Sequence, residues 1–135
     1  MNFRASFCDP FKADIIEIGD VEKGKIMEMF DKIPWSDYLA KMETTKESEI
    51  HYSPSFEIEN KDNRNSIAVS AIDGKEWYIF FKRPKLVQRR KFFKLIEEMD
   101  NDYLTDIQGQ TESDVRNCLE ALIRNDLLFL ENKIK

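Results

Sequence analysis

The alternation of apolar and polar positions is clearest at residues 50–59, IHYSPSFEIE. Ile50, Tyr52, Phe56 and Ile58 alternate there with His51, Ser53, Ser55, Glu57 and Glu59. A period of two is the mark of a strand with one buried face. Pro54 has no N–H to give to a ladder, so this strand is expected at a sheet edge. SIAVSAI (66–72) and EWYIFFK (76–82) read as two more strands, and the Asp73-Gly74 pair between them suits a tight hairpin turn with positive φ. Residues 50–82 therefore predict a three-stranded antiparallel meander. Near the N-terminus, NFRASF and DIIEI (14–18) alternate well enough to be strands, with Gly19 as a break.

Elsewhere the period lengthens. Ile26, Met29, Phe30 and Ile33 fall at i, i+3, i+4 and i+7, which predicts a helix over 20–33 that opens at Asp20 and stops at Pro34. A short second helix starts from Ser36 and carries Leu39 and Met42. Phe92, Leu95, Ile96 and Met99 repeat the helical spacing, so a helix is expected over 86–99, after Pro84 breaks the strand. A loop follows, with room for a short strand at 103–107. Thr111 and Asp114 form a capping box for a helix over 112–124, whose inner face is Val115, Cys118, Leu119, Leu122 and Ile123. Asn125-Asp126 could end that helix or let it run on to Ile134; the pattern leaves both open. The class is α+β: one domain, 1–135, with an antiparallel sheet and about three helices.

The segment EWYIFFKRPKLVQRRKFFK (76–94) raises the functional question. Residues 82–94 hold seven of the 21 Lys and Arg and no acid; the formal charge is −5, so the remainder sums to −12. With aromatics beside cations, one reading is a nucleic-acid surface. The reading preferred here buries Trp77, Ile79 and Phe81 in a strand covered on both faces, and puts Arg89, Arg90, Lys91 and Lys94 on the solvated side of the following helix. Phosphate contacts would also work against the acidic remainder. Together with Arg83, these four cations are the candidate contacts to an acidic partner protein or to a second copy of the chain.

Catalytic chemistry finds little footing. His51 is the lone histidine, and Cys8 and Cys118 are too few and too distant for a disulfide framework or a zinc site. Read as a calcium loop from Asp100, DNDYLTDIQGQT puts Leu104, Thr105 and Thr111 where an oxygen ligand, glycine and glutamate belong. The four glycines are scattered, so no phosphate cradle forms. No catalytic residue, metal or cofactor is assigned. Glu57 and Glu59 share one side of the expected edge strand, where water would keep them ordinary carboxylates. A small carboxylate-dependent enzyme remains an alternative, with nucleic-acid binding through 82–94 as another.

No segment is apolar over a bilayer's thickness, and the N-terminus lacks a signal-peptide pattern; a cytoplasmic protein is expected. The expected order of helix, three strands and helices is similar to that of secretion chaperones, which are small acidic dimers, in topology alone. A non-catalytic, protein-binding accessory domain, immunity-like or chaperone-like, is the functional expectation.

Overall fold

Each strand presents one apolar row, and the rows align when the strands pair. In the computed structural model, which describes residues 2–135, β1 (Phe3–Cys8) points Phe3, Ala5 and Phe7 inward. β3 (Ser55–Asn60) adds Phe56 and Ile58, and β4 (Asn65–Ala71) adds Ile67, Val69 and Ala71. β5 (Trp77–Lys91) contributes Trp77, Ile79 and Phe81. With β2 (Ile16–Val21) and β6 (Lys94–Gln110), they form a six-stranded antiparallel sheet in the order β2-β1-β3-β4-β5-β6.

The inward rows are covered by α1 (Ile26–Lys32) through Ile26 and Phe30, and by α3 (Glu112–Ile123) through Val115, Cys118, Leu119 and Leu122. Leu130 of α4 (Leu127–Lys133) and Ile134 complete the layer. α2 (Trp35–Glu43) closes one end by packing Trp35 edge-on against Trp77, ring centres 4.9 Å apart. Among the described residues, no helix packs on the opposite face of the sheet.

Several expectations hold. The hairpin joining β4 and β5 forms, although its loop is held by the Asp73 carboxylate, which accepts the N–H groups of Lys75 and Glu76 at 2.8 Å each. Gly74 does not need the positive φ expected of it. The capping box is present: Thr111 Oγ1 accepts from Asp114 N at 3.1 Å, and Asp114 Oδ2 accepts from Thr111 N at 2.9 Å. The open question at 125–126 resolves into a break. Asn125 turns left-handed (φ 60°), and Asp126 then caps α4 by accepting from Phe129 N.

Four expectations need correcting. The strand expected at the sheet edge lies inside, hydrogen-bonded to β1 and β4, because Pro54 falls just before its first residue. The first helix begins at Ile26, not Asp20, since β2 extends through Val21 and a single 3₁₀ turn, Lys23–Lys25, intervenes. Gly19 is not a break; with φ +96° it lets β2 bulge where Ala5 faces Gly19 and Ser6 faces Glu17.

The fourth correction is the largest. Residues 86–99 are not helical: β5 continues past Pro84 to Lys91, turns, and returns as β6. Pro84 sits where the register shifts between Arg83 and Lys85, a place where a missing N–H removes no regular ladder bond. The topological likeness to secretion chaperones goes with it, since two strands precede the first helix and the expected third helix is part of the sheet.

Candidate binding arm

Beyond Pro84 the two strands leave the helical layer: Lys85 still reaches Glu131 of α4 at 3.3 Å, and from Leu86 to Met99 the pair runs out as a two-stranded ribbon. Seven residues past Pro84, at about 3.3 Å each, make an arm roughly 23 Å long. Its root is a buried cation. Arg83 is 4% exposed and donates from Nε and Nη2 to Glu131 of α4 at 2.9 and 2.8 Å. Its Nη1 reaches the Phe81 carbonyl and Thr105 Oγ1, and the Phe81 and Tyr103 rings flank the guanidinium. Hydrogen bonding from Arg83 holds the Glu131 carboxyl below its usual range, assisted by Lys85. Arg83 therefore fastens α4 to the base of the arm and is not available to a partner, which corrects its place among the expected contacts.

The two faces of the arm differ. On the face continuous with the helical layer, Arg89 bridges Glu98 at 2.8 Å and Asp100 at 2.7 Å, and Lys91 meets Glu98 at 2.9 Å. The cations that looked unopposed in sequence are thus met across the ribbon. Among the described residues, of the five expected contacts only Arg90 and Lys94 have no carboxylate within reach. Residues 85–100 hold five cations and three carboxylates, a net +2, which leaves −7 for the rest of a chain at −5.

The other face mixes apolar and polar side chains, with Leu86, Leu95 and Met99 exposed on it. Register and alternation put Leu86 beside Met99, Gln88 beside Glu97 and Arg90 beside Leu95. Toward the body this row meets Lys82 and Leu104, then Phe80 and Tyr78, whose rings stack at 4.3 Å. Tyr78 and Phe80 are half-buried and uncovered by helices, so the expectation of a strand covered on both faces holds for the Trp77 face alone.

At the tip stand Phe92 and Phe93, 92% and 98% exposed, with φ of 50° and 64°. Two-residue hairpin turns of this hand favour Asn-Gly, and each non-glycine residue held left-handed costs about 1 kcal/mol. At 92% and 98% exposure neither ring gains packing among the described residues to offset that cost.

Other candidate chemistry does not converge. His51 is exposed in the loop before β3. Glu59 faces Arg4 at 2.9 Å on the open sheet face, with Glu57 nearby. Among the described residues no group of three or more metal-ligating side chains assembles, and no helix is long and apolar enough to cross a membrane. Carboxylates with a resolved shift all move downward: Glu28 beside Lys32, Asp73 and Asp114 on backbone N–H groups, and Glu131 on Arg83. That is opposite to the shift a general acid needs. The groove beside Trp35, about 300 Å³, is lined by Asp31, Asp37 and Glu112, but Arg116 already bridges Asp31 and lies near Glu112.

The sequence did hold the missed partners: read outward from Phe92-Phe93, the cationic run on one side has the acidic run of Glu97, Glu98 and Asp100 on the other. Comparison with protein-family models, curated proteins and solved structures finds no match to this chain.

Proposed function

We propose that the chain is a non-catalytic accessory domain, immunity-like or chaperone-like, that binds another protein in the cytoplasm through the arm. One observation carries the reading: a projecting ribbon ends in two bare phenylalanines and shows Leu86, Leu95 and Met99 to solvent at 51%, 67% and 55%. Isolated apolar side chains on a surface are ordinary, whereas a contiguous set rimmed by charge marks a contact. Arg90 and Lys94 beside it favour an acidic partner and set orientation and encounter rate more than affinity. Nucleic acid is the weaker reading, because the ion ladder along Arg89 and Lys91 consumes charge that phosphate contacts would need. The test is affinity capture from the soluble fraction of the source cell with wild type and a Phe92→Asp/Phe93→Asp variant. A protein recovered by the wild type and lost with the variant supports the reading; equal recovery by both, or none by either, contradicts it.

A further inference from the structure

The sequence of β5 is divided evenly by Pro84: seven residues, Trp77–Arg83, lie in the body and seven, Lys85–Lys91, lie in the arm. Arm and body are therefore of equal length along this strand, about 23 Å each. Both expose the same face of the ribbon, where apolar and polar side chains alternate and, among the described residues, no helix lies. We propose that the occupant of this face is a second copy of the chain, in a two-fold dimer whose axis passes beside Pro84, so that each arm lies across the other's open sheet face. This rests on the reading of the arm as a binding device and adds the identity of one partner.

Three observations support it. The first is symmetry: positions equidistant from Pro84 oppose one another, so Leu86 meets the aliphatic stem of Lys82, Gln88 meets Phe80, and Arg90 meets Tyr78 of the other copy. Arg90, which has no carboxylate partner, then lies over the Tyr78–Phe80 stack, a favourable seat for a guanidinium. On β6 the same operation sets Met99 on Leu104, both more than half exposed. Its one like-charge approach, Glu97 toward Asp106, has Lys82 on the strand beside it.

The second is charge. On the contact face Arg90 and Glu97 of the arm and Lys82 and Asp106 of the body sum to zero, so no net repulsion opposes the pairing. The ion ladder of Arg89, Lys91, Glu98 and Asp100 faces away from the contact and stays hydrated.

The third is area. Phe92 and Phe93 alone expose on the order of 400 Å². With Leu86, Leu95, Met99 and Leu104 the patch exceeds what monomers ordinarily leave bare and approaches the ~800 Å² per partner of a standard interface. Pairing through the free edge of β6 is disfavoured, since residues 94–110 carry five carboxylates and one lysine, which would face their like across a self-paired ladder.

The experiment is sedimentation equilibrium across a wide concentration range, followed by cross-linking. Wild type is expected at twice the 16.0 kDa chain mass, and Leu86→Glu/Met99→Glu at the chain mass, with dimer affinity reduced at least about thirtyfold. Both substituted positions are exposed, so circular dichroism should be unchanged; Phe92→Ser/Phe93→Ser provides a second variant, also expected to weaken the dimer. In a Cys8→Ser background, a short bismaleimide should join Arg90→Cys to Tyr78→Cys when the two proteins are mixed. Arg90→Cys alone should stay uncrosslinked, its two copies lying roughly 40 Å apart. A monomer at every concentration, a dimer indifferent to both arm variants, or cross-linking of Arg90→Cys to itself would each overturn the proposal. A monomer that still captures another protein through Phe92 and Phe93 would overturn the dimer and spare the accessory-domain reading. A dimer that captures nothing would do the reverse.

Discussion

Phe92→Asn/Phe93→Gly should make the arm more stable while removing its binding. Both residues sit at positive φ, and with 92% and 98% exposure their rings contribute almost nothing to packing within the chain. Left-handed backbone costs about 1 kcal/mol or more at each. Asn carries a smaller penalty and Gly almost none, although Gly gives back about 0.5–1 kcal/mol as unfolded-chain entropy. The net gain is about 1 kcal/mol in the free energy of opening the arm, or roughly a fivefold slowing of amide exchange at Arg90 and Lys91. Ile67 and Ile79, deep in the body, should exchange at unchanged rates because no buried contact is touched. Native-state hydrogen exchange by NMR reads both regions at once, and the capture assay reads the lost binding. Unchanged or faster exchange at the tip would refute the claim that the two phenylalanines are held there against local preference.

Three further outcomes follow from the packing. Glu131→Ala leaves Arg83 charged, buried and without its carboxylate; breaking such a pair costs 3–5 kcal/mol when fully buried, and since Glu131 is 34% exposed about 2 kcal/mol is expected in urea unfolding, whereas Arg83→Met/Glu131→Leu should cost less than either single change. Thr111→Ala should cost about 1 kcal/mol and fray the start of α3, checked by denaturation and by exchange at Val115. The Asp114 and Glu131 carboxyls both titrate below their usual values in the folded chain, so their contribution is present above the unfolded pKa near 4 and is lost as pH falls through the folded one; acid unfolding should begin below about pH 4, and Asp114→Asn should flatten that slope.

The parts legible in the sequence were those fixed by near neighbours. The rows of β4 and β5, the Thr111–Asp114 box and the inner face of α3 each declare themselves within one element. The arm did not, for a physical reason. Phe92, Leu95, Ile96 and Met99 satisfy helical spacing, yet the deciding contacts are Arg89 with Glu98 and Asp100 and Lys91 with Glu98, made across the turn. Pro54 misled because a residue just outside a strand reads like one inside it. Among the candidate contacts, Arg83 resembled its neighbours in sequence, and only the docking of α4 buried it.

Residues 85–100 form a two-stranded ribbon that turns at Phe92-Phe93, and proton NMR tests this most directly. Cross-strand nuclear Overhauser effects between Leu86 and Met99 and between Arg90 and Leu95 are predicted, with strand-like α-proton shifts on both sides of Phe92-Phe93. Helical i, i+3 contacts from Phe92 to Leu95 and from Ile96 to Met99, without the cross-strand set, would contradict it.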